Sequence, residues 1–434
     1  MGRYADYKDS GLSYLPNLPS HWERTHLKRV LAVPITDGPH ETPEILDEGV
    51  PFLSAEAVKD LGLNFDLKRG YISEDDHKRF CKKCKPQYGD IFMVKSGATT
   101  GNIAMVTTHD EFSVWSPLAL IRYKPSVIRN DFLFQLLQAP VFRMQVELFW
   151  SYGTQQNIGM KVLGNQYVIL PPMAEQLTIA TYLDRRTAEI DSLLADLQIQ
   201  VEKLDLYKRE LITNTITHGL NKSAPRKESG VNWIGEIPTT WDLLPLYAVA
   251  KENKVKNDGM VCENLLSLSY GRIIPKDIDS AFGLLPASFE GYQIVQPGYT
   301  VMRLTDLQND KRSLRTGYAT ETGIITSAYM GLIPGEKLDG KYFNYLLHAY
   351  DLLKIYYGLG SGLRQTLNFS DMKRLPVLMP PMPEQKAIVA YIDNKTSQIN
   401  GLIADINEQT EKLKQYRQIV IHDAATGKIK VTEG

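Results

Sequence analysis

The chain has 434 residues, 43% of them apolar and 23% charged, with 49 Lys+Arg against 50 Asp+Glu. Those totals are of an ordinary globular protein with length for about three domains, and a net charge of −1 excludes a uniformly basic nucleic-acid coat, so a DNA-binding surface has to be a local patch. No leader-like start, no apolar run near the roughly 18 residues that cross a bilayer, and only three cysteines point to a reducing cytoplasm with no membrane contact.

Residues 1–170 read as an arm followed by a first globular domain. Lys8–Trp22, KDSGLSYLPNLPSHW, is rich in Pro, Gly and aromatics, as suits an ordered arm that packs against something. Short apolar runs follow, among them Ile91-Phe92-Met93-Val94, Ile103-Ala104-Met105-Val106 and Leu118-Ala119-Leu120-Ile121, strand-like in length and side-chain type. Residues 131–149 read as helical, with a break at Pro140. Cys81-Lys82-Lys83-Cys84, with His77 four residues earlier, offers a partial zinc pattern. A structural site wants four ligands and no second Cys-x-x-Cys exists, so two ordinary thiols in a basic turn is the reading adopted and no metal is expected.

Residues 171–218 read as one long helix. Leu183, Ile190, Leu197, Leu204 and Leu211 stand seven apart, with Leu193, Leu194, Val201 and Tyr207 filling in, which describes an apolar seam. Pro171-Pro172 suits the helix start. At about 1.5 Å per residue, 45 residues make a rod of roughly 65 Å that cannot bury its seam alone.

The remaining chain repeats this plan: residues 219–379 as a second arm and domain, 380–434 as a second long helix and tail. Lys227–Trp241 matches the first arm, and residues 382–426 match 173–217 at an offset of 209 without a gap, with Ile392, Ile399, Ile406, Leu413 and Val420 as the second seam. The domains between share much less. Gly298–Arg303 aligns with Gly89–Val94, and Gly362–Leu367 with Gly153–Ile158. Two equivalent halves pair most simply about a pseudo-twofold axis, which permits antiparallel or parallel helices. The expected fold is mixed α/β (α+β): two globular domains separated by two long helices that pair as an intramolecular coiled coil, antiparallel for preference. The first arm would then meet the end of the second helix, giving a circular layout.

Catalytic motifs are missing. The Pro-Pro pairs lack the polar acceptor and aromatic of an amino-methyltransferase turn. No Gly-x-x-x-x-Gly-Lys-Ser/Thr phosphate loop occurs, and Gly358–Gly362 does not join a strand to a dinucleotide-binding helix.

At several points the chain resembles the specificity subunit of type I restriction-modification systems. Leu170–Gln176 and Met379–Gln385 resemble the family's Pro-Pro-x-x-Glu-Gln helix start, Lys8–Trp22 and Lys227–Trp241 its arm, and Gly89-Asp90-Ile91 with Ser96–Gly101 a recurrent strand and loop of its recognition domains. The resemblance implies two domains, each reading half of a bipartite asymmetric target in double-stranded DNA. It also implies helices that set the spacer and dock two methyltransferase subunits, and no catalytic centre in the chain. S-adenosylmethionine would belong to the methyltransferase partner, and ATP with Mg to motor-nuclease subunits. The rival reading is an adaptor whose domains bind proteins across a coiled-coil spacer.

DNA readout needs amide, guanidinium and hydroxyl groups at base edges and cations at phosphates. The candidates in the first domain are Lys95, Ser96, Thr99, Thr100 and Asn102 in one loop, and Tyr152, Thr154, Gln155, Gln156 and Asn157 in a second. In the second domain they are Arg303, Gln308, Asn309, Lys311, Arg312 and Arg315, then Ser361, Arg364 and Gln365. The loop Thr305–Thr316 departs from the first domain's Ser-Gly-x-Thr-Thr-Gly, so contacts do not transfer between domains.

Overall fold

The computed structural model describes residues 2–152, 155–277, 288–307, 314–359 and 366–432. The chain divides into two compact units, Met1–Leu197 with Glu408–Gly434, and Gln198–Asn407. The longer helices, in chain order, are α1 (Glu74–Cys81), α2 (Asn130–Gln138), α3 (Pro140–Phe149), α4 (Met173–His218), α5 (Gly340–Leu352) and α6 (Met382–Ala425). Both units are built from a half of α4 and a half of α6.

In unit 1 the arm is an antiparallel hairpin, Tyr7–Leu12 against Leu15–Pro19. The strand-like runs form an antiparallel sheet in the order Ile103–Met105, Ile91–Val94, Leu118–Ile121, Thr36–Asp37. Every residue of Ile91–Val94 and of Leu118–Ile121 is buried, because side chains of both faces meet apolar layers. The helical stretch breaks where expected. Pro140 has no N–H to donate, so it cannot continue α2, but it fits the first position of α3. The strand Tyr167–Leu170 pairs with Glu23–His26 and leads into α4, so the domain is closed by its two ends.

Unit 2 repeats this topology on a divergent sequence. Its sheet runs Thr316–Tyr318, Thr300–Met302, Met330–Pro334, Ala250–Glu252, all antiparallel. Asp242–Pro245 pairs with Pro376–Met379, which leads into α6.

Within each unit the two long helices run antiparallel. In unit 1, Ile179, Ala180 and Leu183 share a core with Val420, Ile421, Ala424 and Ala425, and further along Arg417 binds Asp191 through both carboxylate oxygens at 2.8 and 3.1 Å. In unit 2, Ile212 and Ile216 pack with Ile388 and Ile392, and Lys208 Nζ donates to Asn400 Oδ1 at 3.2 Å. Lys208 and Arg417 occupy equivalent places in the repeat, as do Asn400 and Asp191, so the same cross-helix bond is made twice, charged once. Asn400→Asp should therefore raise stability by a small amount, about 0.2–1 kcal/mol for an exposed pair, readable as a higher thermal midpoint that salt removes.

The seam differs in detail from the expectation. Leu183, Ile190, Leu211, Ile392, Ile399 and Val420 are buried, and Leu197, Leu204, Ile406 and Leu413, nearer the middle of the rods, are partly buried. The positions between them are those four residues on, not three: Thr187, Leu194, Val201 and, in the second helix, Thr396, Ile403 and Ala424. Leu193 and Tyr207, each 53% exposed, are outside the seam. An apolar residue at both offsets leaves a linear reading undecided. Thr187 and Thr396 can be turned inward because each hydroxyl donates to the carbonyl four residues back, at 2.8 and 2.7 Å.

The repeated Glu-Gln of the helix starts joins helix to arm and helix to domain. Glu175 accepts from Trp22 Nε1 at 3.0 Å, Tyr4 Oη at 2.8 Å and His21 at 2.6 Å, and Glu384 accepts from Trp241 Nε1 at 3.0 Å. Burial alone would raise the Glu175 carboxyl, but these donors hold it below its usual range. Gln176 and Gln385 are fully buried and each bridges three main-chain groups. Gln176 takes the N–H of Arg129 and donates to Val127 and Pro171. Gln385 takes the N–H of Asp339 and donates to Lys337 and Pro380.

The first arm does meet the end of α6. Tyr7 Oη donates to the Gly427 carbonyl at 3.0 Å, and Gly2 bridges Lys430. Gly427, at φ 73°, lies so close to Pro19 and Trp22 that a Cβ there would stand 2.5 Å from Pro19 Cγ.

Candidate nucleic-acid interface

The two polar loops assigned to the first domain, more than fifty residues apart in sequence, are brought together. Residues 95–102 turn the chain between the sheet strands Ile91–Val94 and Ile103–Met105. In the second, Ser151–Tyr152 pairs antiparallel with Gln156–Asn157. The two are stitched by main-chain bonds: Gly97 N–H to the Gln156 carbonyl at 3.0 Å, and Ile158 N–H to the Lys95 carbonyl at 2.8 Å, with Ser96 bridged to Asn157. Gly97 and Gly101 sit at φ 110° and 92°, which lets the loop turn tightly enough for this.

The candidates separate into those that face solvent and those that build the platform. Thr99, Asn102, Gln155 and Asn157 are exposed, and Ser96 and Gln156 are partly so. Two need correction. Thr100 is fully buried, its hydroxyl donating to the Gly97 carbonyl at 2.7 Å, with the Gln156 carbonyl at 3.2 Å, so it holds the two loops together and cannot meet DNA. Lys95 is only 12% exposed, with its Nζ 3.2 Å from Asp37 Oδ2. Asp37, itself fully buried, also binds Lys83. Burial opposes its ionisation, but hydrogen bonds and charge from Lys83 and Lys95 more than offset this and hold the carboxyl below its ordinary range. Lys95 thus serves as a counter-ion, because a buried carboxylate needs one. Tyr152 has its backbone in that strand pair, while its side chain, like Thr154, lies outside the described residues.

In unit 2, Arg315 requires the plainest correction. It is fully buried, with its guanidinium donating to the Thr305 carbonyl at 2.7 Å and the Arg303 carbonyl at 3.4 Å, and its own N–H to Asp351 at 2.7 Å. It closes the base of the loop that was expected to carry it to DNA. Arg303 is partly buried beside it, its N–H bonded to the Arg315 carbonyl at 2.8 Å. Gln308, Asn309, Lys311, Arg312, Ser361, Arg364 and Gln365 lie outside the described residues.

Elsewhere in unit 2, burial pushes the His348 imidazole down to about 4, helped by the charges of Arg209 and Lys208. An imidazole held neutral when the unfolded chain would protonate it makes stability fall as pH drops from about 6.5 towards 4. His348→Gln should flatten that part of the stability profile by about 2–3 kcal/mol, measured by denaturant unfolding at stepped pH.

In the cysteine pattern His77 Nδ1 is 2.9 Å from Ser113 Oγ and its Nε2 is 3.6 Å from Cys81 Sγ, and burial pushes the Cys84 thiol up to about 12.

Residues missed by the linear reading are Asp37, the counter-charge of Lys95, and Arg143 on α3, whose Nη1 is 3.3 Å from Asn102 Oδ1. Neither stands in a motif. For Arg143, its place on α3 beside the loop 95–102 is the only signal.

Residues 19–203 and 316–412 match the family described as the type I restriction modification DNA specificity domain. The chain is 24% identical over 435 residues, 95% of each chain, to the MjaX relative of Methanocaldococcus jannaschii. It is 22% identical over 411 residues, 89% of this chain and 88% of the other, to the type I restriction enzyme MjaVIII specificity subunit of the same archaeon. A solved chain from work on the assembly and conformational transition of the type I R-M system is similar in fold, with a TM-score of 0.69 at 15% identity, over 95% of this chain and 99% of the other.

Proposed function

Because this chain belongs to the type I restriction modification DNA specificity family, we propose that each unit reads one half of a bipartite, asymmetric sequence in double-stranded DNA, and that α4 and α6 set the gap between the halves. The observation that carries this is the repeated topology. One sheet, one helix start and one arm occur twice, while the sequences of the two domains share little, as expected of a constant frame holding two different readers. In unit 1 the joined loops 95–102 and 151–157 offer amides and hydroxyls that suit base edges, and Gly97 lets backbone come close to a ligand.

The chain itself would be non-catalytic. Methyl transfer would come from two methyltransferase subunits carrying S-adenosylmethionine, and motor-nuclease subunits using ATP and Mg would complete the enzyme. The outer faces of the long helices support such docking: Leu206 is 57% exposed, and Leu402 and Ile419 each 53%, which is apolar surface the antiparallel pair leaves uncovered. Among the described residues no helix is long and apolar enough to cross a membrane.

The test is methylome sequencing of a host carrying the chain with its methyltransferase, against the methyltransferase alone. A new split motif methylated around an unspecified gap is the expected result. A stable complex that adds no methylation, and binding insensitive to salt, would favour the protein-binding adaptor instead.

A further inference from the structure

Beside the joined loops, unit 1 has an open groove of about 960 Å³, whose lining includes Lys59, Asp60, Gly101, Asn102, Arg143 and Glu147. Three features make it a built site. First, the Arg143 guanidinium is held in one orientation: Nε donates to Glu147 Oε1 at 2.8 Å and Nη1 to Asn102 Oδ1 at 3.3 Å. Among the described residues no group accepts from Nη2, and the side chain remains 40% exposed at the groove. Second, that position exists because residue 101 is glycine. A Cβ there would stand 2.9 Å from Arg143 Nη1 and 3.2 Å from Cζ, so any side chain would push the guanidinium away. Third, the opposite wall is a two-residue turn between Val58–Lys59 and Gly62–Leu63 in which Asp60 and Leu61 have φ of 50° and 63°. Two successive non-glycine residues in the left-handed region cost backbone energy, and such strain is kept where surrounding structure and function require the shape.

Charge argues for a base edge over a phosphate. Lys59, Arg143 and Arg417 are balanced by Asp60, Glu147 and Asp191, so the groove has no excess positive field. A guanidinium fixed by neighbours, with a free outer edge, is instead suited to paired acceptors on a purine edge such as guanine O6 and N7.

We propose that the rim of this groove takes a base edge of one DNA half-site and that Arg143, oriented by Asn102 and Glu147, is a specificity-determining residue of unit 1. This rests on the reading of the chain as a DNA-specificity subunit.

The experiment is the methylome of a host expressing the full chain with its methyltransferase, comparing wild type with R143A, R143K and G101A, and with complex formation checked for each. Wild type must first yield a split motif; if it does not, the DNA reading itself fails and this proposal with it. Given that motif, R143A and G101A should relax the same position of one half-site by roughly ten-fold or more, R143K should relax it too, and the other half-site should stay intact. G101A keeps the arginine but displaces it and, with residue 101 at φ 92°, also strains the loop, so R143K, which keeps the charge and the loop but loses the fork, is the variant that separates readout from loss of a salt bridge. Should R143A fail to assemble, R143K and G101A decide. An unchanged motif in the assembled variants, or equal loss at both half-sites, would overturn the assignment.

Discussion

Replacing Gln176 or Gln385 with Leu is expected to destabilise the unit that contains it by about 3–6 kcal/mol, enough to abolish assembly of that half. Both amides are fully buried, and each satisfies three main-chain groups at 2.8–3.3 Å. A leucine fills the space but leaves one N–H and two carbonyls unpaired, at about 1–2 kcal/mol each, the lower part of the usual range because most of these groups belong to partly buried pairs. Glu in the same place should be almost as harmful at neutral pH, since it keeps the acceptor but faces two carbonyls with negative charge. Denaturant unfolding followed in the two single variants, with Trp22 and Trp241 as reporters near each helix start, would check this. A loss under 1 kcal/mol would mean that the helix starts are held by something else.

Shortening both long helices by one heptad, Leu194–Gln200 together with Ala404–Thr410, is expected to keep both half-site sequences and shorten the gap between them by about three base pairs. Seven residues of helix rise about 10.5 Å, and duplex DNA rises about 3.4 Å per base pair. Deleting a whole seven-residue period in both helices preserves which faces meet, whereas deleting it from one alone shifts the seam residues on one side of the cut by two helical turns against their partners. The single deletion should therefore lose methylation altogether, while the double deletion should retain it at a new spacing. Methylome sequencing separates the two results, and an unchanged gap in an active double deletion would defeat the ruler reading of the helices.

Much of the plan was legible along the chain because its determinants are local or repeated. The helices announce themselves by a seven-residue apolar period and the absence of proline inside α4. The break at Pro140 follows from one missing N–H. The equivalence of the halves follows from an offset of 209 between residues 173–217 and 382–426. The candidate loops were legible as polar, glycine-containing turns after strands, but which of their side chains face outward was not.

Linear pattern alone thus determined the two arms, the two long helices, their apolar period and three of the four strands of the first sheet, since propensity and periodicity depend on residues close in sequence. Only the tertiary structure decided what meets across distance. It turned Thr100 and Arg315, both polar and both in promising loops, into internal ties between main-chain carbonyls. It made Lys95 the partner of a buried Asp37 and chose the fourth residue over the third along the helix seam. It also joined residues 95–102 to 151–157 and set Arg143 against Gly101. For Thr100, Arg315 and Lys95 with Asp37 the reason is that a buried polar group must be satisfied, and in every case the partner is fixed by packing, which sequence separation does not reveal.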